Sequence, residues 1–407
     1  MSQESHKKFG PLSGMKVIEL SHIMAGPVCG LMLADMGADV IKVEKIPGGD
    51  DSRRFLPPDI EGESAAYMMM NRNKRGIALD LKTEGGKRAL RKLLADADAV
   101  TENYRHDTMQ KLGLGYEDLR KDNPGLIYCA ISGFGRTGPY AERGGFDLIA
   151  QGMSGLMSFT GEGPGRPPCK VGAPVTDITA GILAAYGILA AYVHKLKTGE
   201  GQVVDTSLFE AGIVHTYWQS AIALATGVAP GPMGSAHPLN GPYQAFETKD
   251  GWITIGAANQ RNWERLLDAM EASELADDPR FKTNTDRMAN LKDLEAVLTP
   301  VFQGRTQSDW LARLEAAGVP AGPVLNVCEM FEDPHAQARD MIPTVEHATI
   351  GPMRTLGLPV KLSETPGKVA TAAPVFGQHT KDVLGEHGFT ADEIATLADE
   401  GAIGVAE

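Results

Sequence analysis

A strand–helix–strand alternation at the start of the chain constrains it most. MKVIEL (15–20) is an apolar run of strand length. After a loop comes PVCGLMLADMGA, with Pro27 expected at the first helical position, and then DVIKVE as a second strand. GIALDL, GGKRALRKLLADA, DAVTEN, two short helical pieces and GLIYCAIS continue the alternation. Such a series predicts an α/β fold with a parallel, doubly wound sheet and ligands at the carboxyl ends of its strands. Glu44 ends the second strand where a dinucleotide enzyme places its ribose-binding acid. The first turn, however, reads SHIMAGP and lacks GxGxxG, so a nicotinamide dehydrogenase has no phosphate cradle here.

The segment from Asp177 to about Val228 reads as largely helical. Its apolar part, 178–193, is shorter than the roughly 20 residues a bilayer needs and is expected to be a buried helix. GVAPGPMGSAHPLNGP (227–242) marks a boundary. Beyond it, YQAFETKDGWITIGAAN predicts a hairpin turning at 249–251, and helices to about Glu315 and GVPAGPVLN complete a small α+β module. From about Asp333 come short strands and two final helices. The expected domains are 1–228, 229–332 and a return over 333–407.

With 43% hydrophobic residues, the 407-residue chain can bury a sizeable core. A formal charge of −13 argues against nucleic acid and anionic membranes as partners, so an anionic ligand needs a local basic pocket. Cys29, Cys129, Cys169 and Cys328 lack CxxC spacing, which argues against disulfides and structural zinc and fits a reducing cytoplasm. Neither HExxH nor a tight His/Asp/Glu cluster calls for a metal, and MSQESHKKFG has no apolar leader segment.

Asp177 opens KVGAPVTDITAGILAAYGILAAYV and reads either as a helix cap or as a nucleophile. NRNKRGIALDL sets Arg72, Lys74 and Arg75 before a strand, either as a solvated turn or as an anion site. TENYRHDTMQ offers Asn103, Tyr104 and Met109 at a strand's ligand edge, where they line an adenine pocket or simply pack. GGFDLIAQ carries Asp147, again a possible cap, and GAANQ carries Gly256 in a polar loop.

Taken in order, PLSGMKVIEL, AGPVCGLMLADMGADVIKVEK, NRNKRGIALDLKT, ENYRHDTMQKLGLGYEDL, ISGFGRTGPY, GGFDLIAQGMSGLMSFTG, KVGAPVTDITAGI and KTGEGQVVDTSLFEA resemble the family III CoA-transferases over nearly the whole chain. GSAHPLNGPYQAFETKDGWITIG, FKTNTDRMAN and GQHT resemble the branch that moves CoA from succinyl-CoA to dicarboxylates such as glutarate. The resemblance implies a large Rossmann-like domain, an inserted small domain and an interlocked homodimer. It makes Asp177 the nucleophile, passing through a mixed anhydride and an aspartyl-CoA thioester. It implies an acyl-CoA and a carboxylic acid as substrates, with no permanently bound cofactor. CoA contacts are expected from Ile23, Met24, Lys45, Asn71, Lys74, Arg75, Asn103, Tyr104 and Met109. Met24, where formyl-CoA enzymes carry Gln, argues against formyl-CoA.

Asp147 is expected to assist Asp177. Arg72 and Arg287 are expected to hold the acceptor's far carboxylate, and Gly256 to lie in a shielding loop. A carboxylate at a helix N-terminus is expected to stay ionised at neutral pH. The alternatives are an α-methylacyl-CoA racemase of the same fold, which needs His where Phe146 stands, a dehydrogenase, and a non-catalytic CoA-binding protein.

Overall fold

A computed structural model describes residues 9–406. MSQESHKK, most of the stretch read above as lacking a leader, lies outside them. The chain forms two compact units. The first holds residues up to Ser154, Val171–His215 and Pro334 onward; the second holds Gly155–Lys170 and Thr216–Asp333. The expected boundary near 228 therefore moves to 215, and residues 155–170 join the second unit.

In the first unit, β1 (Lys16–Glu19), β2 (Asp39–Lys45), β3 (Arg75–Leu79), β4 (Ala99–Glu102), β5 (Ile127–Ser132) and β6 (Val203–Ser207) pair in parallel in the order β3-β2-β1-β4-β5-β6. Ile403–Gly404 adds an antiparallel edge on β3. This is the doubly wound order whose ligand crevice lies beyond the ends of β1 and β4, where the connections diverge. The sheet is covered on both faces, so most strand positions are buried whichever way they point. The stretch from 177 to 226 is largely helical, as expected, and β6 interrupts it: Gly199, at φ 80, ends the preceding helix, and the β-branched pair Val203-Val204 suits the sheet edge.

Helix α1 (Ala25–Asp35) follows β1. Pro27 is its third residue rather than its first, still inside the turn whose N–H groups lack helical partners. Helix α2 (Asp147–Met153) and helix α3 (Val175–Thr198) complete the side of the unit that matters below. At 24 residues α3 is long and apolar enough to cross a membrane by length and composition. Its Ala180, Ala184, Ile188 and Ala191 face is nevertheless buried with residues of α1 and β5. A Cβ on Gly181 would come within 2.5 Å of the Ala25 carbonyl, so glycine allows the two helices to touch. Ile182, Tyr186, Val193 and Leu196 stay exposed, so the helix is buried on one side only.

The second unit contains the expected hairpin, β7 (Tyr243–Glu247) with β8 (Trp252–Gly256), and β9 (Ala321–Pro323) pairs on β8. Its core gathers Trp263, Phe302 and Trp310 from the surrounding helices and Phe281 from the turn before one of them.

Candidate active site

Asp177 is the third residue of α3. The N-cap position belongs to Pro174, which has no capping side chain. The capping acceptor comes from elsewhere: Asp147 Oδ1 accepts from Thr176 N at 3.0 Å and from Thr176 Oγ1 at 2.8 Å. Gln151, one turn along α2, donates from Nε2 to Asp147 Oδ2 at 2.7 Å and accepts from Val171 N at 2.8 Å. Asp147 thus does the helix-end work, and the Asp177 carboxylate has no hydrogen-bond donor among the described residues. Burial, and then the negative charge of Asp147, push the Asp177 carboxyl up to about 7. The expectation of a fully ionised Asp177 at neutral pH is corrected. A helix dipole contributes only about 0.3–1 kcal/mol, too little to offset burial beside a like charge.

At the carboxyl ends of β1 and β4, Asn103 closes both backbone groups of His22, accepting from its N–H at 3.0 Å and donating to its C=O at 2.8 Å. A cavity of about 200 Å³ opens there, lined by Ser21, His22, Glu44, Lys45, Asp50 and Tyr104 among others. Ile23 and Met24 follow directly in the half-buried loop. Lys45 is exposed and pairs with Asp51 at 2.5 Å. Met109 does not line this cavity; it is buried in the hydrophobic core.

The basic NRNKR stretch is bound to the protein's own acids. Arg72 forks onto Asp35 at 3.2 and 2.5 Å. Lys74 donates to Glu19 at 2.8 Å, Asn71 Oδ1 at 2.9 Å and the Pro27 carbonyl at 2.8 Å. Burial brings its ammonium down to about 8. Arg75 holds Asp39 at 2.9 and 2.6 Å and Glu386 at 2.6 Å, and Asn71 donates to the Tyr67 carbonyl. The reason is the sheet: β3 lies inside it, so charges at its entrance lose water and must be paired. The expectation of a solvated or ligand-facing basic turn is therefore corrected for Arg72, Lys74 and Arg75.

Arg287, in the second unit, is neither at the surface nor free. It is fully buried over Trp263 and donates to the carbonyls of Gly241 at 2.6 Å and Phe281 at 2.9 Å and to Gln260 at 3.2 Å. Only Nη2 has no partner among the described residues. Gly256 ends β8 with its N–H on the Pro320 carbonyl. A Cβ there would meet only ordinary contacts, the nearest at 3.5 Å, so nothing in the backbone demands glycine.

A family model described as CoA-transferase family III matches residues 12–380. The chain belongs to CoA-transferase family III. A succinate–glutarate CoA-transferase of Agrobacterium fabrum is 42% identical over 382 residues, covering 92% of this chain and 95% of that protein. The human succinyl-CoA:glutarate CoA-transferase is 36% identical, covering 94% of this chain and 87% of the relative. Among solved structures, a CaiB/BaiF family protein from Brucella suis superposes with a TM-score of 0.83 at 41% identity, covering 93% of this chain and all of that one.

For this family III enzyme, sequence reasoning missed Gln151 and the buried set Glu19, Lys42 and Asp50. Gln151 was legible as an i, i+4 partner of Asp147 in DLIAQ. Glu19 and Lys42 announce themselves as charges inside apolar strands, KVIEL and VIKVE. Lys42 reaches Glu19 at 2.9 Å, Asp50 at 2.8 Å and the Ser21 carbonyl at 2.9 Å. Gly30 makes room for that carboxylate, since a Cβ there would lie 1.8 Å from Glu19 Oε2.

Proposed function

We propose that the enzyme transfers CoA from succinyl-CoA to a dicarboxylate through covalent intermediates on Asp177. The observation that carries this reading is a half-buried carboxylate, without a hydrogen-bond donor among the described residues and pushed up to about 7, at the head of α3. Near pH 7 it exists as both carboxylate and acid, and only the carboxylate attacks.

An Asp177 oxygen adds to the thioester carbonyl. The C–S bond breaks, leaving a mixed anhydride and CoA thiolate. Thiolate then attacks the Asp177 carbonyl and the donor acid departs as its carboxylate, leaving an aspartyl-CoA thioester. The acceptor carboxylate attacks this thioester, and returning thiolate takes the new acyl group and regenerates Asp177. Asp147, held by Thr176 and Gln151, fixes the end of the helix and keeps Asp177 reactive by repulsion. CoA is assigned to the loop after β1, with Ile23 and Met24, and to Lys45, Asn103 and Tyr104 around the 200 Å³ cavity.

Donor and acceptor classes rest on what the relatives are named for. A homodimer is supported by the uncovered apolar stripe of α3. A cytoplasmic location and the absence of a permanent cofactor complete the proposal.

The test is to incubate the enzyme with succinyl-CoA alone. A CoA-sized adduct on Asp177, removed by hydroxylamine, is expected, followed by transfer to glutarate in a panel of acids read by mass. A fully active Asp177→Asn enzyme overturns the reading. The racemase alternative lacks an acid/base partner here, since Phe146 is 71% exposed and carries no proton. Enzyme-dependent α-deuterium incorporation into a 2-methylacyl-CoA would restore it.

A further inference from the structure

Ile23 has φ 66, a left-handed backbone conformation that a β-branched residue adopts only when its surroundings force it. The forcing contacts are specific. Its amide donates to Asp50 Oδ1 at 2.9 Å, while the preceding residue, His22, has both backbone groups closed by Asn103. Asp50 is 2% exposed and cannot give way: Oδ1 also accepts from Ser52 N at 2.9 Å and Ser52 Oγ at 2.8 Å, Oδ2 pairs with Lys42 at 2.8 Å, and its own N–H is bound by Glu44 at 2.9 Å. Although burial opposes its ionisation, Lys42 and the amides of Ile23 and Ser52 hold its carboxyl well below the usual range.

The strained residue sits at the crevice between β1 and β4, beside the cavity that Asp50 also lines. Strain at such a place is kept when it shapes a ligand site.

We propose that Asp50 is a positioning residue that holds Ile23 in its left-handed conformation and so sets the shape of the loop, residues 21–24, that receives CoA. The inference rests on the CoA-binding reading above but assigns a role to a residue outside it. Asp50 also caps the short helix at Asp51–Arg54, so a purely structural role must be told apart from positioning.

A double-mutant cycle does this, with affinity for free CoA measured by calorimetry. Asp50→Ala is expected to weaken CoA binding roughly tenfold, the scale of one strained backbone residue, and to raise the KM for succinyl-CoA by a similar factor with kcat moving far less. Asp50→Asn keeps an acceptor oxygen for the Ile23 amide but loses the charge that pairs with Lys42, so its loss of CoA affinity should be clearly smaller than that of Asp50→Ala. Glycine takes a positive φ without strain. With Ile23→Gly in place, Asp50→Ala should therefore weaken binding by less than about threefold. Equal losses in both backgrounds, or an Asn variant as weak as the Ala variant, overturn the proposal. If Asp50→Ala does not fold, Asp50→Ser replaces it in the same cycle and is read the same way. Because CoA affinity needs no turnover, a coupled cycle without succinyl transfer would sink the proposed donor and leave this inference standing. Transfer with an uncoupled cycle would do the reverse.

Discussion

Two clusters of acids in the first unit, one buried and one half-buried, have opposite fates. Beneath β1 and β2, Glu19 and Asp50 each lie within 2.9 Å of a buried ammonium, and Asp50 is held ionised. At the head of α3, Asp147 and Asp177 come together with no pairing cation among the described residues, and Asp177 rises to about 7. The same element, a desolvated carboxylate, becomes scaffold when compensated and reactive when compensation is withheld.

The largest effect should come from removing the uncompensated acid. Asp177→Asn is expected to lower transfer by on the order of 10³-fold or more, measured as product thioester by mass. Its stability should move the other way. Folded Asp177, at about 7 against an ordinary 3.8, holds its proton more tightly than the unfolded chain does, so wild-type stability falls as pH rises from about 4 through 7. The Asn variant escapes that loss. It should melt higher than wild type at pH 8, by roughly 1 to 4 °C, with the difference vanishing near pH 4.

Breaking the compensated cluster should cost stability instead. Lys42→Met strands Asp50 and takes one of the two ammonium partners of Glu19, and it is expected to lower unfolding free energy by about 3–5 kcal/mol in denaturant titration. A stable, merely inactive variant would erase the contrast between the clusters.

The pH profile sharpens the comparison. The kcat/KM of wild type should fall about tenfold per pH unit below 7, because the attacking form is the carboxylate. Asp147→Asn removes the repelling charge while keeping an oxygen for Thr176, so the acid limb should move to lower pH. A limb that stays in place would mean burial alone sets the value.

The smallest effect concerns Arg72, which belongs to the compensated side through Asp35. Arg72→Lys should lose about 1 kcal/mol of stability and leave the ratio of kcat/KM for glutarate over butyrate within twofold. A selective loss for glutarate would return this arginine to the substrate.

Much of this was readable in order of residues. The β-α-β opening, the hairpin around 249–251 and the placement of Asp177 at a helix start are local patterns of apolar spacing and turn chemistry. The roles of Arg72, Lys74 and Arg75 were not readable in the same way. NRNKR looks alike whether it faces water, a ligand or Asp35, Glu19 and Asp39, because those partners lie 36 or more residues away along the chain. Residues 155–170 and β6 failed for a related reason: short segments with weak periodicity take their state from what they dock against.

The sequence by itself determined the alternation of elements, the family, and the presence of charges inside apolar strands. Only the tertiary structure decided which charges were neutralised. The parallel register sets Glu19 opposite Lys42, and the 203–207 strand closes the sheet beyond β5. Folding also brings Asp147 to the Thr176 amide, which frees Asp177 from capping. The physical reason is that a chain shows each ionisable group without its environment. A carboxylate's reactivity depends on the water it loses and the partners it gains, and both are supplied by elements distant in sequence.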